Sequence, residues 1–283
     1  MKRIFLHYVI TALAAAVLLT ACGKQTADTP PAAEPEKARP AAVGQQRGTK
    51  PTETPPPEST LAAVKEPPMS TANPATQPQP IVVEVHHDTV CPWCRIGASN
   101  LQVALKDWDG PPVQIRYRPF LLNPNAPQEG LDLRTHLGEK YGHARVAAMF
   151  TRVTEVGRQA GLTFRFDKIR RAPDSSLSHV LIERVAQERQ HDVVVAIQKA
   201  YFEDGADIGD VEVLAKIAEN AGVSGEQARA WLVANGARSQ LKAQVAAGRS
   251  GITGVPHFVI NGRQRLQGAV PPARIKAALR AAM

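Results

Sequence analysis

A Cys-x-x-Cys pair, Cys91 and Cys94, lies where a strand pattern gives way to a helical one. The segment 81–86 before the pair is apolar and β-branched, which predicts a strand. The segment 96–108 after it predicts a helix, and residues 113–117 alternate between apolar and polar side chains, which predicts a second strand. The sequence therefore places the two cysteines between a strand and a helix, inside a βαβ unit.

Two cysteines one turn apart at the start of a helix are suited to forming and breaking a disulfide. Cys91 is closest to the unpaired amides of the helix N-terminus, and these amides together with the helix dipole favour its thiolate. A stabilised thiolate attacks disulfides and also leaves readily, so Cys91 is the candidate nucleophile and Cys94 the candidate resolving thiol. Pro92 fits the first helical turn because it has no amide hydrogen to lose. Trp93 is a candidate shield or apolar contact beside the pair, with a packing role as the alternative.

A Cys-x-x-Cys pair can also be half of a structural zinc site. Tetrahedral zinc needs four ligands, usually from a second cysteine pair or from closely spaced histidines. The sequence has no second cysteine pair, and His86 and His87 are neighbours in a predicted strand, where successive side chains point to opposite faces. We therefore expect no metal site, and exchange between thiols requires no dissociable cofactor.

The N-terminus has the pattern of a bacterial export signal. Two basic residues precede an apolar stretch, 9–19, that is too short for an ordinary transmembrane helix. A small-residue cleavage site then leads directly into Cys22 and Gly23, which resembles a lipobox. This predicts removal of residues 1–21, lipidation of Cys22 and, because Gly23 is not Asp, sorting to the outer membrane of a Gram-negative bacterium. An ordinary cleaved signal is the alternative.

Residues 22–80 are predicted to be the lipidated N-terminus followed by a disordered tether. Positions 23–80 hold 13 of the 23 prolines and no aromatic residue, so they cannot bury enough apolar surface to offset the entropy of ordering them. The tether would hold the folded part away from the membrane. Export also implies an oxidising compartment, and lipidation of Cys22 would leave only the pair as thiols. The net charge of +8 is interspersed with acids, so no nucleic-acid partner is expected.

The rest of the chain predicts a helical block between two parts of one α/β domain. Residues 125–250 carry apolar stripes at helical spacing, with a start at Asp174 or Ser175. Further helix ends are marked by Asp210, Gly222 and Ser224. After Pro256 the pattern predicts a hairpin with its turn near Asn261-Gly262, and then a helix over 271–282. We expect a thioredoxin-like domain, 81–124 and 251–283, interrupted by an all-helical insertion, 125–250.

Four segments resemble the DsbA family, and specifically its FrnE-like branch. They are HDTVCPWCRIG at 87–97, RPFLLNP at 118–124, AYFEDG at 200–205 and GITGVPHFVI at 251–260. The resemblance covers 81–283 and is far more specific than a cysteine pair alone. It implies a periplasmic thiol–disulfide oxidoreductase that exchanges disulfides with protein substrates and with a redox partner that the sequence does not identify.

The resemblance also implies that Pro256 is cis and lies beside Cys91. The backbone of Val255 would then be exposed to pair with an extended substrate peptide. His257 follows directly and is a candidate to stabilise the Cys91 thiolate, with a structural role as the alternative.

Related folds often bury an acid six residues before the first cysteine, where this chain has Val85. Glu84, one residue earlier, is the candidate proton acceptor, and a surface strand position is the alternative. Asp88 matches the FrnE-like pattern, and a role in shaping the loop explains it equally well.

Two other functions compete with disulfide exchange. FrnE-like proteins resemble 2-hydroxychromene-2-carboxylate isomerases and kappa-class glutathione transferases, which use glutathione and typically have serine at the position of Cys91. The intact cysteine pair argues against that chemistry. A non-catalytic, redox-sensing binding module is the second alternative, and it predicts that replacing Cys91 leaves the biological activity intact.

Overall fold

The computed structural model describes residues 79–248 and 251–283. The predicted signal, the lipidation site Cys22 and the predicted tether up to residue 78 lie outside this range. Within the range, no helix is both long enough and apolar enough to cross a membrane.

The βαβ unit predicted around the cysteine pair is present. It consists of β1 (Ile81–His87), α1 (Pro92–Lys106) and β2 (Val113–Pro119). The helix begins at Pro92, directly after the first cysteine, and not at residue 96, because the proline supplies a ready-made first turn. β1 and β2 pair in parallel, and α1 provides the crossover that a parallel pair requires.

The block between β2 and residue 248 is helical, apart from one short ladder. Its elements are β3 (Leu131–Asp132), α2 (Leu133–Tyr141), α3 (His143–Gln159), β4 (Arg171–Ala172), α4 (Ser176–Arg184), α5 (Gln190–Lys199), α6 (Val211–Asn220), α7 (Gly225–Leu232) and α8 (Ala237–Gly248). β3 and β4 pair over two residues. A turn of π-helix, Ala200–Asp204, extends α5.

The helix ends marked in the sequence agree with the capping contacts. Asp210 accepts hydrogen bonds from two amides in the first turn of α6, at 2.8 and 3.0 Å. Ser224 accepts one in the first turn of α7, and Gly222 has a φ of +77° where the chain leaves α6. At α4 the N-cap residue is Ser175, and the carboxylate of Asp174 just before it accepts a hydrogen bond from the Ser176 amide at 3.0 Å.

The C-terminal part forms the predicted hairpin and helix, β5 (His257–Ile260), β6 (Gln264–Gln267) and α9 (Pro272–Arg280). Asn261 and Gly262 have φ values of +48° and +68°, as a type I′ turn requires. β5 pairs antiparallel with β1, which gives a mixed sheet with the strand order β2-β1-β5-β6.

One continuous cluster of buried side chains joins the sheet to the helical block. It includes Val83 and Val85 of β1, Leu101 of α1, Leu181 of α4 and Ile197 of α5, none of them more than 1% exposed. Each such side chain stabilises the fold by about 1.5–3 kcal/mol relative to leaving it in water. The helical block therefore has a core in common with the sheet, and the boundaries near residues 125 and 250 stay predictions.

Candidate active site

Cys91 occupies the N-cap of α1, in extended backbone geometry with φ −88° and ψ 113°. Its carbonyl accepts hydrogen bonds from the amides of Cys94 and Arg95 at 3.0 and 3.3 Å. No acidic side chain lies in the first turn of the helix itself, whose N-terminus is the positive end of the helix dipole. The thiol of Cys91 is thus held at a helix terminus that favours a negative charge.

The two thiols differ in their surroundings. Both cysteines are unpaired and buried, with Cys91 4% exposed and Cys94 1% exposed. Burial raises the pKa of the Cys94 thiol well above its usual range, and a hydrogen bond with the Cys91 side chain raises it further. Cys94 therefore keeps its proton at neutral pH until an acceptor removes it.

The loop before β5 packs against the start of α1. The Val255–Pro256 peptide bond is cis, as the resemblance implies, and the Cys91 Sγ lies 3.9 Å from the Val255 carbonyl oxygen. A Cβ atom on Gly97 would lie 2.8 Å from Pro256 Cγ and 3.3 Å from a Phe258 ring carbon. Glycine at position 97 is what allows this close approach. The structure thus brings Cys91, Val255 and Pro256 together.

Glu84 does not face the cysteines. It forms an ion pair with Arg118 in which Nε and Nη2 lie 2.9 and 2.5 Å from Oε1. Its neighbour Val85 pairs with Phe258, and Phe258 packs toward Gly97 of α1. Because successive strand residues point to opposite faces, Glu84 lies on the face away from α1. The expected role of Glu84 as proton acceptor is therefore not supported.

The structure does not bring His257 toward α1 either. His257 is the neighbour of Phe258 and pairs with His86 across β1 and β5, so it also points away from α1. The two histidine rings are 6.1 Å apart. Burial lowers the pKa of His257, and the charge of Arg265 lowers it further, so the neutral ring is favoured there.

Asp88 is the acid that the structure places beside the cysteines, although it is in the loop after β1 and not in the strand. It is fully buried, and its Oδ2 accepts a hydrogen bond from the Leu122 amide at 2.7 Å while Oδ1 accepts from the Val90 amide at 3.3 Å. Its backbone carbonyl accepts from the Cys91 amide at 3.1 Å. The loop-shaping role considered for Asp88 is thus supported by three hydrogen bonds.

Sequence reasoning missed a buried aromatic cluster that adjoins Asp88. His179 Nε2 lies 3.6 Å from Asp88 Oδ1, and the His179 ring is 4.9 Å from the ring of His87. His87 in turn packs 4.9 Å from Tyr117, whose hydroxyl lies 2.6 Å from His191 Nδ1. Burial, followed by the charge of His179, holds the pKa of His87 well below 6.5. Apolar spacing assigns only one side of α4 to the core, so it gave no signal for His179.

A cavity of about 480 Å³ opens beside the cysteine pair, between the active-site loop and the helical block. Cys91, Trp93 and Val255 form one side, and aromatic side chains of the block form the other. Leu122, Tyr141 and Met149 also line it and are 40%, 41% and 38% exposed, so part of its apolar surface faces solvent.

Pro92 and Trp93 lie at the wall of this cavity, directly after the nucleophile. Pro92 is the first residue of α1, and Trp93 packs against the core with part of its surface exposed. Among the residues that the structure describes, no group of three or more His, Cys, Asp or Glu side chains is arranged to hold a metal ion.

Comparisons with known proteins agree with this geometry. The uncharacterized protein YwbO of Bacillus subtilis (strain 168) is 24% identical over 181 residues, which cover 63% of this chain and 86% of that protein. The crystal structure of a probable DsbA oxidoreductase, SCO1869 from Streptomyces coelicolor, is 28% identical, with a TM-score of 0.63 over 71% of this chain and 89% of that one. A 2-hydroxychromene-2-carboxylate isomerase shares the fold, at 14% identity and a TM-score of 0.54 over 71% of this chain and 95% of that one.

A family model matches the part of the chain that carries the cysteine pair and the loop before β5. The model of the DSBA-like thioredoxin domain matches residues 82–280, which include both cysteines, the helical block and the cis-proline loop. This confirms the thioredoxin-like α/β fold predicted from the sequence. The chain therefore belongs to the DSBA-like thioredoxin domain family of thiol–disulfide oxidoreductases.

Proposed function

We propose that this protein exchanges disulfides with protein substrates through Cys91 and Cys94. One observation carries the proposal: the Cys91 thiol lies at the N-terminus of α1, 3.9 Å from the Val255 carbonyl, at the wall of an apolar cavity. The helix terminus favours the thiolate, and the Val255 carbonyl offers a hydrogen-bond acceptor to an extended peptide. The partly exposed Leu122, Tyr141 and Met149 offer apolar contacts to an incompletely folded chain.

The exchange proceeds in two displacements. In the reducing direction the Cys91 thiolate attacks a substrate disulfide, one substrate sulfur leaves as a thiolate, and Cys91 becomes joined to the other. Cys94 then loses its proton and attacks Cys91 Sγ, and the second substrate sulfur leaves with the electron pair of the broken bond. The substrate has gained two electrons and the protein has formed the Cys91–Cys94 disulfide. The oxidising direction is the reverse.

Variants at the two cysteines test this assignment. We expect Cys94→Ser to accumulate a mixed disulfide with an unfolded protein substrate whose cysteines have been activated as disulfides, because the resolving thiol is absent. Cys91→Ser should accumulate none, since the nucleophile is absent. Non-reducing gels and mass spectrometry of the full-length protein measure both. A mixed disulfide on Cys94 in the Cys91→Ser variant, with none on Cys91 in the Cys94→Ser variant, would contradict the assigned roles.

The direction of exchange depends on the reduction potential and on the redox partner. Equilibration with glutathione, followed by labelling of free thiols, measures the potential of the pair. A potential above that of glutathione, with transfer of the disulfide to a reduced protein, assigns an oxidase or isomerase, and a strongly reducing potential assigns a reductase. Glutathione-dependent turnover of a small molecule that persists in Cys94→Ser would replace this proposal with the isomerase or transferase alternative.

The proposed location is the periplasmic face of a bacterial outer membrane, with a lipid on Cys22. The proposal is supported by the sequence around Cys22 and by the proline-rich composition of the following residues. Cell fractionation tests it: the wild-type protein should sediment with the outer membrane and incorporate labelled fatty acid. Cys22→Ser should do neither, and equal membrane association of both proteins would contradict lipidation.

A further inference from the structure

The cavity beside Cys91 has apolar walls that also carry positive charge. Its volume is about 480 Å³, and most of its lining side chains are aliphatic or aromatic. The basic side chains that line it are His136, Lys140 and Arg152, and among the described residues no Asp or Glu does so. Because Cys91 lines the same cavity and is only 4% exposed, a substrate sulfur that reaches the thiol brings its neighbouring residues against these walls.

Two helices of the helical block hold the cations in place. The residues of α2 that line the cavity are Leu133, His136, Leu137, Lys140 and Tyr141. Their spacings of three, four, seven and eight residues put them on one face of the helix. Arg152 belongs to α3, next to the buried Val153, which lines the cavity too. The positive charges therefore lie on the same helix faces as the apolar contacts.

The charges of Lys140 and Arg152 are not compensated within the part of the chain that the structure describes. Both residues are exposed, and neither forms an ion pair with another described residue. The Lys140 ammonium lies 5.4 Å from the centre of the Tyr141 ring. By contrast, Arg158 of the same helix as Arg152 is paired with Glu155 at 3.0 Å. Two uncompensated cations at one wall attract anionic groups of a substrate.

We propose that this cavity selects acidic segments of protein substrates, in which a cysteine next to an apolar side chain is flanked by Asp or Glu. This inference rests on the proposed disulfide exchange. The apolar side chain occupies the cavity, and carboxylates two or three residues from the substrate cysteine pair with Lys140 and Arg152. A compact cavity of this volume is about 10 Å across, and two or three residues of extended chain span about 7–10 Å. One segment can therefore reach both the thiol and the cations.

The combination of walls and charges distinguishes a protein segment from a smaller anion. Glutathione offers carboxylates but no apolar side chain, so it would leave the aliphatic and aromatic walls uncovered. A protein segment that presents both an apolar side chain and carboxylates matches both features of the cavity. Lys140 and Arg152 are then specificity-determining residues for the exchange.

The rate of the first attack on a set of matched peptides measures this preference. Each peptide has one cysteine next to a leucine, joined in a disulfide to thionitrobenzoate, and two flanking positions that are both Asp, both Asn or both Lys. The Cys91 thiolate attacks the peptide sulfur, the disulfide bond breaks, and coloured thionitrobenzoate leaves with its electron pair. The full-length protein carries Cys22→Ser, so that no other thiol reacts, and Cys94→Ser, so that the peptide stays on Cys91.

The test variant adds Lys140→Gln and Arg152→Gln to this protein. The matched control adds Arg184→Gln and Arg274→Gln, which remove the same number of charges. Arg184 and Arg274 are also exposed on helices, form no ion pair with another described residue and do not line the cavity.

At low ionic strength we expect the Asp peptide to react about 10-fold faster than the Lys peptide, because electrostatic attraction raises encounter rates by that factor or more. The test variant should lower this ratio to about 2-fold, mainly by slowing the Asp peptide, and should change the Asn peptide by less than about 2-fold. The control variant should keep the ratio. About 0.5 M salt should lower the ratio in the parent protein, since salt screens exposed charges.

Three results would overturn this assignment. The first is an equal rate for the three peptides in the parent protein. The second is a ratio that persists in the test variant, or that falls equally in the control variant and so reflects the net charge of the whole protein. The third concerns glutathione joined to the same leaving group. If it reacts as fast as the Asp peptide and slows as much in the test variant, the cavity recognises a small anionic thiol compound.

Failure of the proposed exchange would give a different result. In that case no peptide would release thionitrobenzoate at a rate that depends on Cys91, and adding Cys91→Ser to the parent protein would leave the release unchanged. That outcome would refute the exchange, and the preference for acidic segments with it.

Discussion

Gly97→Ala tests the packing that holds the cis-proline loop against α1. The added Cβ would lie 2.8 Å from Pro256 Cγ, whereas carbon atoms in good contact are about 3.5–4.0 Å apart. The loop or the helix must therefore move by roughly 0.7 Å or more, and overpacking of this kind costs about 1–3 kcal/mol. Alanine is favoured over glycine in a helix by about 1 kcal/mol. The free energy of unfolding should thus fall by about 0–2 kcal/mol.

Gly248→Ala is the matched control, because Gly248 is also helical and no described atom lies within 4 Å of its added Cβ. Urea unfolding measures the stability change of each variant. Subtracting the change in Gly248→Ala from the change in Gly97→Ala removes most of the helix-propensity effect, and the remaining loss of stability should be about 1–3 kcal/mol. Gly97→Ala should also slow disulfide exchange, because it moves Val255 relative to Cys91. Equal stability of the two variants would refute the close packing of α1 on the loop.

Two further substitutions test the buried histidine and the exposed acid. Burial holds the pKa of His87 below 6.5, so below pH 6.5 the unfolded chain binds a proton that the folded chain does not. The free energy of unfolding therefore decreases as the pH is lowered. His87→Gln should flatten that slope by up to about 1.4 kcal/mol per pH unit in urea unfolding series, and an unchanged slope would contradict the neutral buried ring. Glu84→Gln should change stability by less than about 1 kcal/mol and leave the rate of disulfide exchange unaltered, whereas slower exchange would restore Glu84 as proton acceptor.

The elements that could be predicted from the sequence are those specified by neighbouring residues. Alternation and β-branching gave β1 and β2, and Asn261-Gly262 gave the hairpin turn, because each signal acts within a few residues. The cysteine pair was found in the same way, from Pro92 and the helix that follows it. Local patterns also gave the caps at Asp210 and Ser224.

The errors concern which way a side chain points and which distant residues meet. Glu84 was a candidate proton acceptor with a surface strand position as the alternative, and a shift of one residue along a strand moves a side chain to the other face of the sheet. His257 failed by the same geometry. The contact between Asp88 and His179 joins the loop after β1 to α4, far apart in the sequence, and it depends on how the helical block packs.

Asp88 is a buried acid whose carboxylate shapes the active-site loop. Its Oδ2 accepts a hydrogen bond from the Leu122 amide at 2.7 Å, so it ties the active-site loop to the segment after β2, and its Oδ1 lies 3.6 Å from His179 Nε2. Asparagine can keep the short bond to Leu122 with its one carbonyl oxygen and loses mainly the longer bond to Val90. The structural cost of Asp88→Asn is then about 1–3 kcal/mol of folding stability, which leaves the loop formed in a protein of ordinary stability. Urea unfolding of Asp88→Asn measures this loss, and an unchanged stability would contradict the tie between the active-site loop and Leu122.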